Sequence, residues 1–491
     1  MVQKDVASER QKAFLKEYAI IALVVILFFA TWLRAQAVSQ RTTETFDEKV
    51  YLHLAGQLMH DPTAYSMVHV YHRLKAEGKP APEYLKAPLF KHPPLFPYIV
   101  SLAFRIFGND RKTGIYTSLV FGVLTIIALY YIAVFAFDER RAILAALFLA
   151  VEPVHVLCSK RVWLETSYVF FIYAGILFLI LGLQKNGRWL IASGVAFGLS
   201  LLTKEFAVLS CAGVALFVIF IIEEIRSKRY FGLFILLSFL VVLPWLIWLY
   251  RVYGQEGTFL TTYVKSLVAD SNINDAGLQK HIRYILLGGG SLLITSLLLI
   301  VRIFCDRILS GAKHCISLCV NHKSIKITVF FISTAVCVYG LAHFFDIRRF
   351  FYRHSFNLSQ DMYAFNDEPL TFYIDRLTTL FPVYYFVFIS LLFAPQWNKY
   401  NILFFFVALP PLLFFSFFRE YECRYILASL PALILLASDA LIRIYDICKN
   451  CRNPLLRFVR FGIPLLVIYL VTKAAYFDFG QIVKDIVIWQ L

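Results

Sequence analysis

The sequence predicts an all-α polytopic membrane protein, a bundle of about thirteen transmembrane helices. Three observations predict it. Of 491 residues, 59% are apolar and 16% charged, and mean hydropathy is +0.68; a soluble chain carries about 25% charged residues. The apolar residues run in continuous stretches of about 20, the length that crosses a hydrocarbon layer. The basic residues collect on alternate connections. The composition excludes a soluble enzyme, a disordered protein and a disulfide scaffold. The unbroken stretches speak against an outer-membrane barrel, whose strands alternate over about ten residues.

In chain order, residues 1–17 are too charged for a cleavable signal peptide, and no small-residue cleavage site follows the first span, 18–36. A long loop, 37–113, leads to spans 114–137 and 142–157. Spans 164–183, 189–203 and 206–222 come next. The apolar stretch 189–222 is too long for one crossing and is interrupted only by Lys204 and Glu205, so it divides there. Spans 231–250, 285–301, 327–345, 377–394, 401–418, 424–441 and 461–475 complete the set. The third, fifth and last are short. Neither a repeat nor a Gly/Ser linker separates a soluble domain, so 1–491 reads as a single transmembrane domain.

With the N-terminus in the cytosol, the inner segments are 1–17, 138–141, 184–188, 223–230, 302–326, 395–400 and 442–460. They hold 22 basic residues against 9 acidic ones, the bias expected of cytosolic loops. Topology therefore accounts for the net charge of +16 without a nucleic-acid partner. Cys305, Cys315, Cys319, Cys448 and Cys451, five of nine cysteines, fall on the inner side, which suits a reducing cytosol and no disulfide framework. His314, Cys315, Cys319 and His322, with Cys448 and Cys451, have metal-ligand chemistry. Their spacing is not that of a standard zinc site, and ordinary loop residues are the plainer reading.

Polar residues concentrate in the first outer loop, 37–113. Val50, Leu54 and Leu58 share a face, predicting a helix that starts at Asp47, with Thr45 as a possible cap, and lies along the membrane surface. The loop closes with Lys91-His92-Pro93-Pro94-Leu95. Adjacent prolines fix an extended entry and hold Lys91 and His92 at the interface; an amphipathic piece, 96–107, follows. Lys160, Arg161 and Glu165, then Lys204 and Glu205, then Arg419, Glu420, Glu422 and Arg424 sit at the outward ends of spans. Ionisable groups at membrane depth are costly and are functional or paired. A single Lys or Arg there can simply snorkel, but convergence on one side counts against that reading for the set.

These residues carry a family likeness. Asp47-Glu48, just after the first span and followed by Tyr51, resembles the acidic motif of the GT-C glycosyltransferases. Lys91 with Pro93-Pro94-Leu95 is similar to a segment of the protein O-mannosyltransferase and aminoarabinose-transferase branch. Leu202-Thr203-Lys204, Arg424-Tyr425 with Pro431, and Arg161 with Glu165 resemble further elements of that branch. Glu205 stands where that branch has Gly, and the soluble C-terminal domain of the aminoarabinose transferases has no counterpart.

The resemblance implies a GT-C-type bundle with interfacial helices in the first outer loop. It implies a transferase that moves a sugar, with inversion, from a polyprenyl or dolichyl phosphate to a hydroxyl acceptor on a lipid, protein or polysaccharide. The site would face the periplasm or ER lumen of a multi-pass protein in a bacterial, archaeal or ER membrane. Such chemistry needs a carboxylate to take the acceptor proton: Asp47, with Glu48 or Glu165 as orienting partner, unless Asp47 only caps its helix. It also needs cations for the departing phosphate: Lys91, Arg161, Lys204 and Arg424. Tyr51, His92 and Tyr425 are the candidate substrate contacts. A divalent cation could join the site, but no spacing requires one. A multi-pass transporter or flippase of lipid or lipid-linked sugar is the alternative, and would place polar residues near the midplane between two related halves.

Overall fold

The structure, a computed structural model, describes residues 2–36, 38, 44–221, 228–253, 372–416, 422–451 and 454–487. The predicted spans 285–301 and 327–345, and the group His314 to His322, lie outside these residues. The chain divides into one unit of Met1–Gln255 with Glu368–Leu491 and another of Glu256–Asp367; the described residues belong to the first.

Among the described residues all regular structure is helical. The first helix, α1, is Val2–Ala35. The following loop builds α2 (Phe46–His60), α3 (Val68–Ala76) and α4 (Leu95–Phe107). Then come α5 (Arg111–Ala136), α6 (Glu139–Ala150), α7 (Pro153–Ser159), α8 (Glu165–Gln184), α9 (Trp189–Thr203), α10 (Ala207–Phe220) and α11 (Lys228–Tyr253). The chain resumes with α12 (Phe372–Leu380), α13 (Tyr385–Leu392), α14 (Lys399–Ser416), α15 (Leu430–Asn450) and α16 (Pro454–Val487).

Six of these helices are long and apolar enough to cross a membrane: Glu17–Ala35, Arg111–Ala136, Glu165–Gln184, Arg229–Tyr253, Lys399–Ser416 and Arg457–Asp478. The predicted span 142–157 is not one straight helix. It is α6 and α7, bent by 60°, because Glu152-Pro153 removes a donor and starts a new helix with Glu152 as its cap. The division of 189–222 holds, with α9 ending at Thr203 and α10 opening at Ala207. Each piece, at about 1.5 Å per residue, is shorter than the hydrocarbon layer. The span predicted at 424–441 begins only at Leu430, after a 3-10 turn over Cys423–Ile426, and 377–394 is broken at Phe381-Pro382.

The outer faces of these helices are apolar: Phe28 is 76% and Tyr476 80% exposed, a surface suited to lipid. Inside, small residues bring backbones together, the usual means of packing helices in a membrane. Gly194 and Gly198, one turn apart on α9, face α11, and a Cβ at Gly194 would lie 2.4 Å from the Phe234 carbonyl oxygen. On α10, a Cβ at Gly213 would lie 2.0 Å from the Phe406 carbonyl oxygen of α14. Gly213→Ala is therefore expected to push α10 off α14 and cost about 1–3 kcal/mol; a thermal melt in detergent that matches wild type would refute this packing.

One buried cation knots the start of the bundle. Arg34 is fully buried at the end of α1. Its guanidinium donates to the carbonyls of Leu149 (3.2 Å) and Ala150 (2.8 Å), at the end of α6 where Pro153 supplies no amide to the helix ladder. It also donates to Ala30 O (3.1 Å) and Ser159 Oγ (3.3 Å) and lies 2.9 Å from His155 Nδ1. At the opposite end of these helices, buried Asp439 accepts from Arg141, Arg443 and Asn401 at 2.6–2.9 Å, tying α6, α14 and α15.

Candidate active site

The predicted residues gather where α1 ends, α2 and α8 begin, α9 gives way to α10, and the 3-10 turn leads into α15. The local start of α2 fixes two of them. Thr45 is its cap: Thr45 Oγ1 accepts from Glu48 N (3.4 Å), and Glu48 Oε2 accepts from Thr45 N (2.9 Å) and Thr45 Oγ1 (3.0 Å), a reciprocal capping box. The helix thus opens at Phe46, one residue before the predicted start, and Asp47 is not the cap. Glu48 is fully buried and wholly engaged. Its Oε1 also accepts from Val162 N (3.2 Å), and Arg161 Nη1 lies 3.5 Å from its Oε2.

Asp47 faces elsewhere. Its carboxylate, 35% exposed, takes Arg424 Nη1 at 2.6 Å. Arg424 pairs as well with Glu422, and its guanidinium stacks 4.6 Å from the Trp163 ring. Trp163 in turn donates from Nε1 to Thr45 Oγ1 (3.1 Å), so the cap and the cation share one indole. A third pair lies deeper. Lys204 Nζ is 2.7 Å from Glu165 Oε1, with the side chains 5% and 4% exposed. The ammonium sits 5.6–5.8 Å from the rings of Tyr168, Phe206 and Tyr425. Glu165 Oε2 is buried without a hydrogen-bond partner among the described residues.

Every predicted acid is therefore joined to a predicted cation: Asp47 to Arg424, Glu48 to Arg161, Glu165 to Lys204. The fourth cation, Lys91, rests 3.9 Å over the Tyr84 ring. Tyr51 is buried and meets Phe90 and Phe96 edge-on at 6.0 and 5.7 Å, binding α2 to α4. Tyr425 stacks on Phe415 at 5.3 Å. His92 Nδ1 lies 2.9 and 3.0 Å from the two oxygens of Glu205. Sequence reasoning gave no role to Trp163, Glu205 or Glu422. The two glutamates were visible as charges at span ends; nothing local marked Trp163. Among the described residues, no group of three or more His, Cys, Asp or Glu is placed to hold a metal ion.

The charges tune one another. Burial pushes the Asp47 carboxyl up, but the Arg424 charge and hydrogen bond, with Lys91 and His92 nearby, outweigh it and hold the group below the usual carboxylate range. Asp47 is thus ionised at neutral pH. Burial pushes Glu422 up. The buried Glu165–Lys204 pair makes a stability prediction. Lys204→Met leaves a desolvated carboxylate alone and is expected to cost about 3–5 kcal/mol, whereas Lys204→Met with Glu165→Leu is expected to recover most of that loss. Thermal melts of the two variants compare directly; a double variant no better than the single one would sink the argument.

Residues 91–248 match the family model for dolichyl-phosphate-mannose-protein mannosyltransferase, a stretch that holds Lys91, Arg161, Glu165 and Lys204 but neither Asp47 nor Arg424. No curated protein matches the chain by sequence. Solved structures share the fold. ArnT from Cupriavidus metallidurans bound to undecaprenyl phosphate aligns over 96% of this chain and 76% of its own, with TM-score 0.53 and 12% identity. The Archaeoglobus fulgidus oligosaccharyltransferase tethered to an acceptor peptide aligns over 94% of this chain, with TM-score 0.57 and 14% identity; this chain spans 55% of it. AglB from the same organism, in complex with an inhibitory peptide and a dolichol-phosphate, aligns over 95% of this chain and 56% of its own, with TM-score 0.50 and 14% identity. The family match is confined to residues 91–248, the solved structures share the fold of nearly the whole chain, and the apolar helices make the chain a multi-pass integral membrane protein.

Proposed function

We propose that this chain transfers a sugar from a polyprenyl- or dolichyl-phosphate donor to a hydroxyl acceptor, inverting the anomeric carbon, on the outer or luminal face of the membrane. The observation that carries the reading is Asp47: an ionised, partly open carboxylate at the helix ends where Arg424, Lys204, Arg161 and Lys91 also lie. Asp47 takes the proton of the acceptor hydroxyl as its oxygen attacks the anomeric carbon. The bond to the lipid phosphate breaks on the opposite side, and cations meet the charge that develops there. One cation about 4 Å from a unit charge contributes roughly 4 kcal/mol at an effective dielectric of 20, before desolvation.

Because Arg424 already holds Asp47, an arriving phosphate competes for its fork. Binding of donor then loosens the Asp47–Arg424 contact and raises the basicity of Asp47 when it is needed. Glu165 offers its unpaired Oε2 to a substrate hydroxyl, while Glu48 keeps α2 and Arg161 in place. The apolar helix faces beside the site suit an isoprenoid tail, and the lipid phosphates in the ArnT and AglB structures favour a donor of that class here.

The test is transfer by purified protein from polyprenyl-phosphate monosaccharides and from nucleotide sugars. Turnover is expected with the lipid donor alone. Efficient transfer from a nucleotide sugar alone, or flipping of labelled lipid with no transfer, would overturn the reading. Cysteine labelling near the two ends checks sidedness: the N-terminus is expected on the cytosolic side and the C-terminus on the other.

A further inference from the structure

His92 and Glu205 come from segments far apart in sequence, and the fold places both imidazole and carboxylate at the site. Glu205 grips Nδ1 with both oxygens, at 2.9 and 3.0 Å. The side chains are 15% and 23% exposed. The ring is braced by Phe90, 5.6 Å away and tilted at 70°, and its backbone is anchored by Tyr65, whose hydroxyl donates to the carbonyls of His92 (2.9 Å) and Pro93 (3.3 Å). Prolines 93 and 94 stiffen the segment further. The neighbouring charged groups are Glu205 and Lys204 on the α9–α10 break, Asp47 at the start of α2, and Lys91 on the same segment. A histidine whose Nδ1 is held by a carboxylate is fixed in tautomer and orientation, and its Nε2 is the nitrogen left for chemistry. So much rigidity around a titratable group exceeds what an interfacial ion pair needs.

We propose that Glu205 is a positioning residue and that His92, held by it at Nδ1, is the proton donor to the departing lipid phosphate. This rests on the transferase reading above. The acceptor oxygen bonds to the anomeric carbon as the bond from that carbon to the phosphate oxygen breaks. The acceptor proton goes to Asp47, and the Nε2 proton of His92 goes to the phosphate, which leaves as a monoanion. Asp47 then returns a proton to His92 through solvent, so the hydroxyl proton ends on the lipid phosphate and both side chains are restored. Glu205 favours the charged ring and aims Nε2; His92 does the transfer.

The experiment is the pH dependence of turnover, with a polyprenyl-phosphate sugar, for wild type, Glu205→Gln, His92→Gln and His92→Ala. Wild type is expected to lose kcat on the alkaline side as the imidazolium deprotonates. Glu205→Gln, which keeps the shape and a hydrogen bond but removes the facing negative charge, is expected to move that limb to lower pH, with donor KM within a few-fold. Both His92 variants are expected to lose the limb and about 100-fold in kcat. An alkaline limb that stays in place in Glu205→Gln, or a His92→Gln enzyme within threefold of wild type, would overturn the proposal. A second arm uses undecaprenyl phosphate itself as ligand and does not need turnover. Binding to wild type should weaken more steeply with rising pH than binding to His92→Gln; identical pH profiles would overturn the dyad. If wild type transfers no sugar from any lipid phosphate, the transferase reading fails and the dyad as proton donor fails with it, while a difference in the binding profiles would still mark His92 as a phosphate-side cation.

Discussion

Asp47→Asn protein is expected to fold and to bind lipid phosphate, yet to lose turnover by about 10²–10⁴-fold. The change keeps the size of the side chain and the start of α2, because the cap is Thr45 and the reciprocal partner is Glu48. It removes the basic oxygen that faces Arg424. Two measurements decide the matter: transfer rate with saturating donor, and the thermal midpoint. A rate within tenfold of wild type would end the assignment of Asp47 as base. A collapse of the midpoint would instead show that the charge pair with Arg424 holds the fold, and Asp47→Glu would then be the variant to compare.

The second large effect belongs to Arg424. Its guanidinium is set between the carboxylates of Asp47 and Glu422 and against the face of Trp163. On the proposed transferase mechanism Arg424→Ala removes a phosphate ligand, and about 10²–10³ in turnover is expected to go with it. It also changes the titration of Asp47. Burial pushes that carboxyl up and the arginine brings it down, so without the arginine the folded value rises. A base works only above its own pKa. If Asp47 is the proposed base, the acid limb of any remaining activity should therefore move to higher pH, whereas wild type keeps the Asp47 carboxyl ionised to below the usual carboxylate range near 4. Arg424→Lys keeps one charge and loses the planar fork and the stack; it should hold the acid limb closer to wild type but recover little of the rate. An unmoved acid limb in Arg424→Ala would separate Asp47 from the rate-determining proton transfer.

Much of this was legible in the sequence because hydropathy is a local signal. The second half of α1, with α5, α8 and α11, stands out as apolar runs, and the Lys204-Glu205 interruption marked the join of α9 and α10. Where the reading slipped, the turn chemistry outweighed the hydropathy. Residues 142–157 are apolar throughout apart from Glu152 and His155, yet Glu152-Pro153 opens a second helix at 60° to the first. The segment 424–429 is apolar enough to count as span, but the 3-10 turn there lets Arg424 face Asp47 instead of lipid, and Pro431 marks the true start of α15. The site residues were readable as types at helix ends. Their pairing was not. Asp47 meets Arg424 across 377 residues and His92 meets Glu205 across 113, and no local periodicity encodes contacts of that kind. Trp163 illustrates the limit: as one aromatic among many, it gains meaning only when Thr45 and Arg424 are seen on it.

The Arg34 knot bears on how the molecule is made. Its acceptors Leu149 and Ser159 lie 115 and 125 residues later in the chain. At about 5–20 residues per second, roughly 6–25 seconds of synthesis separate the arginine from the groups that satisfy it. During that interval the first helix cannot sink its last turn into hydrocarbon and must leave the guanidinium among headgroups or water. Nascent chains arrested before residue 160 should then hold α1 higher in the bilayer than the finished protein does, and the arrival of α7 would draw it down, so that the end of α1 settles only after the loop that follows it has been made.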